Sequence, residues 1–434
     1  MRFFLKLVLA FIIKFRGVII FGIIMGCALS IFLIKKLPSI HLKTTANIGY
    51  TGRYTIDELP YEISSLISRG LVKSEASGEI YGDLAESWSI EDNGKRWVFR
   101  LKDNVYWQDR KKFSVNDTNY NFQDVAIEKS GNAIIFNLNE PYIPFIVLLE
   151  KPIFKKGLLG TGEWKVKNLS LKGGYIQKIT LSEGSETQNI KFYPTEEQLK
   201  FAFKMGEVSI AKNLSSPIPF EKWDDTKVEK NVKNNQVVVI FFNTGDTFLA
   251  DKNFRLALNY SIDKSVFESR ALSPINPESY FYNPQVKSYD FDLEKARSLL
   301  KDIQDKLPND YVIKLISSPN LIDTAENVSK MWRDLGINSN VLVSSVIPSD
   351  YQAFITVFDI PKDPDQYSLW HSTQTQTNIT KYKNLRIDKL LEEGRVEMDR
   401  EDRKKTYLDF QRYLLEDSPA IFLFHPIWYN VFRN

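Results

Sequence analysis

The stretch that decides the fold runs from Gly82 to Phe122 and reads GDLAESWSIEDNGKRWVFRLKDNVYWQDRKKFSVNDTNYNF. Near its centre, Asp92–Gly94 is a strong turn signal, because these residue types tolerate the left-handed backbone of a tight hairpin. After the turn, Trp97, Phe99 and Leu101 stand at every second position. This period of two predicts a β-strand that buries one of its faces.

Strand patterns alternate with helix patterns through the rest of the chain. Val105–Trp107 is predicted to be the next strand. Asp292 is placed to cap a helix over Leu293–Ile303, whose apolar residues recur at helical spacing. Asp399 can cap a further helix near the end of the chain. This alternation favours a mixed α/β protein.

Composition excludes several classes of protein. The chain has 434 residues, 43% hydrophobic and 26% charged, which suits a globular body of more than one domain. A net charge of only +3 does not indicate nucleic-acid binding. Cys27 is the single cysteine, so no intrachain disulfide can form. The histidines His41, His371 and His425 are too far apart to suggest a metal site, and we expect neither metal nor cofactor.

The N-terminal residues, 1–36, are predicted to be a short cytoplasmic segment and a membrane anchor. Gly17–Ile34 contains no charged residue. As a helix it would be roughly 27 Å long, close to the hydrocarbon thickness of a bilayer. We expect one span with the N-terminus inside, and a tether over 37–50. The alternative is a lipid anchor at Cys27, because the residues before it loosely resemble a lipoprotein cleavage site.

Motifs for catalysis are missing from the sequence. It contains no GxGxxG, GxxxxGK[ST], HExxH or GxSxG pattern. Gly160–Gly162 lacks the lysine of a phosphate-binding loop, and a tight turn is its expected role. His425 ends an apolar run and is expected to be structural, whereas His371 follows Trp370 in a polar loop and is a candidate for ligand contact. We therefore expect a binding protein and not an enzyme.

The order of motifs resembles the bacterial family 5 extracellular solute-binding proteins, which serve peptide, oligopeptide and nickel ABC importers. The opening stretch is similar to the family pattern LAxSW, an Asp-Gly turn and FxLxxxVxWxDG, with Arg110 in place of the usual glycine. Between Phe122 and Ala133 the chain is shorter than the family usually is. Five further blocks follow in family order, and they are Gly160–Trp164, Gly206–Ala211, Phe241–Thr244, Phe254–Lys264 and Phe291–Leu300.

The resemblance implies a two-lobed, periplasmic-binding-protein-like α/β fold of type II, in the large peptide-binding cluster, with mixed sheets and a hinge. Lobe I would cover 45–240 with a C-terminal return over 416–434, and lobe II would cover 245–415. The hinge is expected near Asn243 and Thr244, with a second crossover near Phe354–Asp359.

The function that this resemblance implies is capture of peptides outside the membrane and their delivery to an ABC transporter permease by closure of the lobes. We expect a monomer. Two alternatives stay open at this point. The cargo could be a nickel chelate, an oligosaccharide or another polar solute, or the chain could be a sensor or scaffold ectodomain without a transporter.

The resemblance also implies the ligand-binding residues. Peptide binders of the family often hold the ligand's ammonium with an aspartate in a WxxD-type segment. With one residue inserted, Asp359 takes this position and Asp363 is the second aspartate. Without the insertion, Ile360 falls there and the charge is missing. Trp370 and His371 would lie nearby on the cleft wall.

Three further points belong to this predicted site. Asn243, in the crossover block, is included among the ligand-binding residues. The partner of Asp359 would be the ligand amine or Lys362, because an unpaired carboxylate after an apolar strand is costly. Asp363 and Asp365 could instead only shape a proline turn, as Asp-Pro sequences often do.

Overall fold

The computed structural model describes residues 14–18, 21–22, 25–26, 44–347 and 350–434. Its strands are β1 Thr44–Thr51, β2 Val72–Ser74, β3 Ile80–Gly82, β4 Ala85–Glu91, β5 Arg96–Leu101, β6 Val125–Ser130, β7 Ala133–Leu138, β8 Lys165–Lys172, β9 Tyr175–Glu183, β10 Glu186–Tyr193, β11 Ile210–Leu214, β12 Thr226–Val232, β13 Gln236–Phe242, β14 Ile313–Ser317, β15 Ser339–Val343, β16 Ala353–Asp359, β17 Ala420–Phe424 and β18 Ile427–Arg433. Its helices are α1 Tyr61–Ile67, α2 Phe145–Leu148, α3 Glu196–Lys204, α4 Lys252–Tyr260, α5 Leu293–Gln304, α6 Ile322–Leu335, α7 Tyr367–Trp370, α8 Leu385–Val396 and α9 Arg400–Asp417.

A seven-stranded mixed sheet has the order β12-β18-β11-β1-β10-β9-β8. Its centre is β1, which pairs in parallel with both β10 and β11. The predicted tether over 37–50 is therefore wrong for its second half, because residues 44–50 form this central strand. The strand is held there by its pairing on both edges and by burial of Ile48 in the core.

A five-stranded mixed sheet has the order β15-β14-β16-β13-β17. Its β13 carries the run Val237–Phe242, in which every side chain is buried. An apolar run without alternation suits a strand that is covered on both faces. The sheet and its helices α4–α6, α8 and α9 enclose the largest apolar core of the described residues.

A four-stranded antiparallel sheet, β4-β5-β7-β6, contains the predicted hairpin. Asp92 and Asn93 have positive φ angles of 50° and 49°, and Trp97, Phe99 and Leu101 are buried. The hairpin is confirmed, whereas Val105–Trp107 forms only a single antiparallel bridge, between Tyr106 and Lys112, in place of the predicted strand. That segment enters a tight loop, in which the Arg110 N–H donates to the Trp107 carbonyl at 2.8 Å and Arg110 has a φ of 69°. The remaining two strands, β2 and β3, form a small antiparallel pair.

The predicted helix starts at Asp292 and Asp399 are confirmed. The Asp292 side chain accepts a hydrogen bond from the Lys295 N–H at 2.8 Å, at the start of α5. The Asp399 side chain accepts from two backbone N–H groups at the start of α9. Both caps satisfy donors that the first helical turn leaves free.

Of the residues described, none forms a helix long and apolar enough to cross a membrane. The predicted span over 17–34 falls mostly outside the described residues, which include only 17–18, 21–22 and 25–26 of it. Cys27 and His41 also lie outside them.

Candidate functional site

The chain passes twice between the seven-stranded and the five-stranded sheet. The first crossing is 233–235, between β12 and β13, and the second is 425–426, between β17 and β18. We call the segments that form the seven-, four- and two-stranded sheets the first lobe, and those that form the five-stranded sheet the second lobe. Both crossings are short, so the two lobes are joined side by side at one place.

These crossings lie elsewhere than we expected from the sequence. The expected hinge at Asn243 and Thr244 follows β13, at the end of that strand remote from the first crossing. The expected second crossover is β16, which pairs with β13 along its whole length from Gln236↔Asp359 to Phe242↔Ala353. The run Val237–Phe242 is long and apolar enough to be a complete buried strand. The change of sheet therefore comes before β13 and not after it.

Gln236, directly after the first crossing, contacts His425 in the second crossing and Trp428 just beyond it. Its side-chain Nε2 donates to Asp359 Oδ1 at 2.7 Å, and its Oε1 accepts from Trp428 Nε1 at 3.1 Å. Its backbone carbonyl lies 2.7 Å from His425 Nδ1. Burial disfavours the charged imidazolium and lowers the pKa of His425, which supports the structural role expected for it.

Two cavities lie where the lobes meet. The smaller, of about 250 Å³, is lined by Ile80 and Ile146 of the first lobe and by Phe281 and Asp363 of the second, among others. The larger, of about 340 Å³, is lined by residues of the first crossing, Asn234 and Asn235, and by Glu75, Glu278 and Ile360. Ser74 and Lys362 line both cavities. The wall between the cavities therefore contains one residue from each lobe.

Asp359, the predicted amine anchor, is exposed at the end of β16 and lines neither cavity. Its partner in the structure is Gln236, and not Lys362. Ile360, the residue that takes the anchor position without an insertion, is buried and lines the larger cavity. Its N–H donates to the Asn235 carbonyl at 2.8 Å.

Trp370 and His371 are buried in the second lobe and are not on an open cleft wall. Trp370 is 0% exposed and packs on Phe241, with ring centroids 5.8 Å apart. His371 stacks on Tyr367 at 4.0 Å, and its Nε2 lies 3.1 Å from Glu392 Oε1. In this conformation both side chains belong to the interior.

Asp363 lines the smaller cavity, but its side chain is already hydrogen-bonded within the second lobe. Both of its oxygens accept from the Arg403 guanidinium, at 2.9 and 2.6 Å. Asp365 pairs with Arg395 at 3.2 Å, yet burial raises the pKa of the Asp365 carboxyl. The Asp363 side chain also accepts from the Asp365 N–H at 2.9 Å, as a proline turn requires. The contacts therefore support the structural alternative for both aspartates.

Asn243 shapes the turn after β13. Its Nδ2 donates to the Tyr351 carbonyl at 2.9 Å, and its Oδ1 accepts from the Gly245 N–H at 3.1 Å. The five predicted site residues are thus spread over the second lobe and do not share one surface. Of the five, only Asp363 lines one of the two cavities.

Contacts across the lobe boundary involve residues other than the five predicted site residues. The Lys362 ammonium of the second lobe contacts Glu150 Oε2 of the first lobe. The Ile143 N–H donates to the Arg395 carbonyl at 2.8 Å, and the Arg395 guanidinium lies 4.7 Å from the ring of Tyr142. One signal could have pointed to Glu150, which is a carboxylate directly after the apolar run Phe145–Leu149.

The described part of the chain contains no preformed metal-binding site. Within those residues, no group of three or more His, Cys, Asp or Glu side chains is arranged to hold an ion. The polar groups at the lobe boundary are instead single carboxylates, amides and cations that face two cavities. This arrangement suits binding of a small polar solute between the lobes.

The chain belongs to the bacterial extracellular solute-binding proteins, family 5, whose middle-region profile matches residues 79–139 and 186–378. Members of this family bind solutes and are not enzymes. The oligopeptide-binding protein AppA of Bacillus subtilis is 22% identical over 457 residues, covering 87% of this chain and 84% of AppA. The dipeptide-binding protein of Escherichia coli is 20% identical, covering 89% of each chain.

Solved structures confirm the two-lobed α/β fold with mixed sheets. NikZ from Campylobacter jejuni, in complex with Ni(L-His), superposes with a TM-score of 0.73 at 23% identity, covering 90% of this chain and 94% of NikZ. AppA from Bacillus subtilis, in complex with a nonapeptide, gives 0.70 at 20% identity, covering 90% of this chain and 95% of AppA.

Proposed function

We propose that this chain is the substrate-binding component of an ABC importer and captures short peptides between its two lobes. The observation that carries the proposal is the pair of cavities at the lobe boundary, the larger of them lined by the first crossing, in a member of a solute-binding family. Relatives that align along most of the chain are named for oligopeptides and dipeptides, which supports peptide as the cargo.

Capture would proceed by a change in the angle between the lobes. The links 233–235 and 425–426 are short and are the places where the chain changes sheet. A hinge is formed by a few such residues that absorb the backbone change. We therefore place the lobe boundaries at these links, about five to ten residues from the 240–245 and 415–416 boundaries expected from the sequence. Closure would bury the ligand and present a compact surface to the permease.

The proposal is tested by titration calorimetry of the purified protein with short peptides, from dipeptides upward. Saturable binding of peptides is the expected result. The comparison titration uses Ni(L-His), because NikZ with that ligand has the same fold at 23% identity. Binding of Ni(L-His) without binding of any peptide would replace peptide by a metal chelate as the cargo. A protein that binds neither would overturn the proposed transport function.

We also propose that Gly17–Ile34 anchors the protein as a single membrane span, with the N-terminus in the cytoplasm and a monomeric body outside. The support is the length of this uncharged run. Mass spectrometry of the membrane-extracted protein is expected to find the N-terminal peptide still attached. A mature chain that begins at a lipidated Cys27 would contradict the span.

A further inference from the structure

Glu150 is a buried carboxylate that receives a cation from the opposite lobe. It follows α2, whose Phe145 and Ile146 belong to the core of the four-stranded sheet. The Glu150 side chain is only 6% exposed, and its Oε2 contacts the Lys362 ammonium. The lysine side chain is 43% exposed, so the cation enters from the open side of the boundary.

The second oxygen of this carboxylate is unsatisfied. Glu150 Oε1 is buried and accepts no hydrogen bond from the part of the chain that the structure describes. A buried charge without full hydrogen bonding is costly, because a carboxylate offers about four acceptor positions that water would otherwise fill. The site therefore has capacity for a further N–H donor.

An aromatic ring completes the surroundings of the ammonium. The Lys362 Nζ lies 4.6 Å from the centroid of the Tyr61 ring, within the range of a cation–π contact. Tyr61 belongs to α1 in the first lobe, like Glu150. The first lobe thus supplies both a carboxylate and an aromatic face to a single primary ammonium group.

The ammonium group is held next to the cavities of the lobe boundary. Lys362 and Ser74 line both of them. The Ser74 hydroxyl is buried, and no described residue is its hydrogen-bond partner. Movement of the Lys362 side chain would remove a wall that the cavities share, and leave space within the usual size of a ligand pocket, about 300–1,000 Å³.

We propose that Glu150 and Tyr61 are the binding site for the primary ammonium group of the ligand, and that the Lys362 ammonium occupies this site in the present structure. This inference rests on the proposed function and names the group of the peptide that the first lobe recognises. Lys362 belongs to the second lobe and moves with it. A ligand ammonium therefore competes with Lys362 for the same carboxylate when the lobes close.

The aspartate predicted from the family pattern does not offer this site. Asp359 bonds to Gln236 and is exposed at the end of β16, whereas Glu150 is buried and contacts Lys362, which lines both cavities. Ile360 stands at the cavity wall instead, without a charge. The second-lobe carboxylates that do line a cavity already have partners, because Asp363 is paired with Arg403 and Glu278 accepts from Asn234 at 2.7 Å.

Three variants of the full chain test the proposal by calorimetry with tri-alanine and with N-acetyl-tri-alanine. Glu150→Gln keeps the shape and removes the charge, and should weaken binding of tri-alanine about tenfold or more, which is the lower end for loss of a buried charged pair reduced by the loss of competition from Lys362. Lys362→Met removes the competing ammonium and should strengthen it several-fold. Each change should affect the acetylated peptide much less than tri-alanine, because the acetylated peptide has no ammonium group to pair with Glu150. Lys389→Met, in an exposed pair with Glu393, is the control and should leave both peptides unaffected.

A second measurement keeps this test separate from that of the proposed function. Alanine amide, which carries one primary ammonium, is expected to raise the Tm of Lys362→Met by about 2 °C or more at saturation. It should leave the Glu150→Gln/Lys362→Met protein unchanged. If no peptide binds but alanine amide behaves in this way, the peptide function fails and the ammonium site stands. The inference is overturned if Glu150→Gln weakens binding of both peptides equally, or if Lys362→Met binds tri-alanine more weakly than the unchanged protein. It is also overturned if neither the peptide titrations nor the Tm with alanine amide responds to the substitutions.

Discussion

Replacing Asp363 by asparagine is expected to unfold the second lobe more readily, and not to act first on ligand affinity. Asp363 and Arg403 form a bidentate pair at 2.6 and 2.9 Å, and their side chains are only 12% and 6% exposed. Arg403 Nε also donates to the Gly394 carbonyl at 2.7 Å, which fixes the guanidinium between α8 and α9. The pair therefore joins the segment after β16 to both of these helices.

The loss of stability expected for Asp363→Asn follows from the burial of this pair. Burial alone would lower the pKa of the Arg403 guanidinium, but the Asp363 carboxylate outweighs it and raises that pKa. Arg403 therefore stays charged after Asp363→Asn, in a place where water cannot replace the lost carboxylate. Removing one partner of such a pair costs about 3–5 kcal/mol, and the remaining amide oxygen favours the lower end of that range.

The assay is urea unfolding followed by tryptophan fluorescence, with the unfolding midpoint as the measured quantity. The matched control is Asp409→Asn, because Asp409 pairs with Arg412 at 2.8 Å but both side chains are about half exposed. An exposed pair of this kind contributes at most about 1 kcal/mol. Equal midpoints for the two variants would refute the reasoning, and a loss of peptide binding without a change in midpoint would return Asp363 to the ligand site.

Three further perturbations follow from the structure. Trp370→Ala should destabilise the protein by about 3–5 kcal/mol in the same urea assay, because the side chain is fully buried, whereas Leu385→Ala, at a residue that is 88% exposed, should change stability by less than about 0.5 kcal/mol. Burial lowers the pKa of His425 in the folded state. Below about pH 6.5 the unfolded chain therefore binds more protons than the folded protein, and the free energy of unfolding falls as the pH decreases through that value. The Tm of His425→Gln should therefore fall less on acidification than that of the unchanged protein, and parallel curves would contradict this. Arg110→Gly should raise the free energy of unfolding by up to about 1 kcal/mol, because Arg110 has a φ of 69° that glycine adopts without strain, and a lower urea midpoint would contradict it.

The sequence predicted those parts of the fold that depend on local patterns. The turn at Asp92–Gly94 and the caps Asp292 and Asp399 were correct, because a single residue type satisfies a local backbone need in each case. Val105–Trp107 forms one bridge in place of a strand, because three residues do not fix the length of a strand and the chain turns back in a tight loop at Arg110. The position of Arg110 in that loop also explains why the family pattern has glycine there.

The ligand site was much less predictable. Asp359 and Asp363 have partners, Gln236 and Arg403, that lie 123 and 40 residues away in sequence, so no local pattern could reveal that they are already bonded. The contact between Lys362 and Glu150 spans 212 residues and the boundary between two lobes. Only the folded chain brings these charges together, which is why the cavity walls could not be derived from the family motifs.

The most direct test of the account is small-angle X-ray scattering of the protein before and after addition of a peptide at a concentration that calorimetry shows to be saturating. Solute binding between two lobes joined at 233–235 and 425–426 predicts a smaller radius of gyration with the peptide bound. A scattering curve that stays unchanged while calorimetry records full occupancy would contradict capture by closure of the lobes.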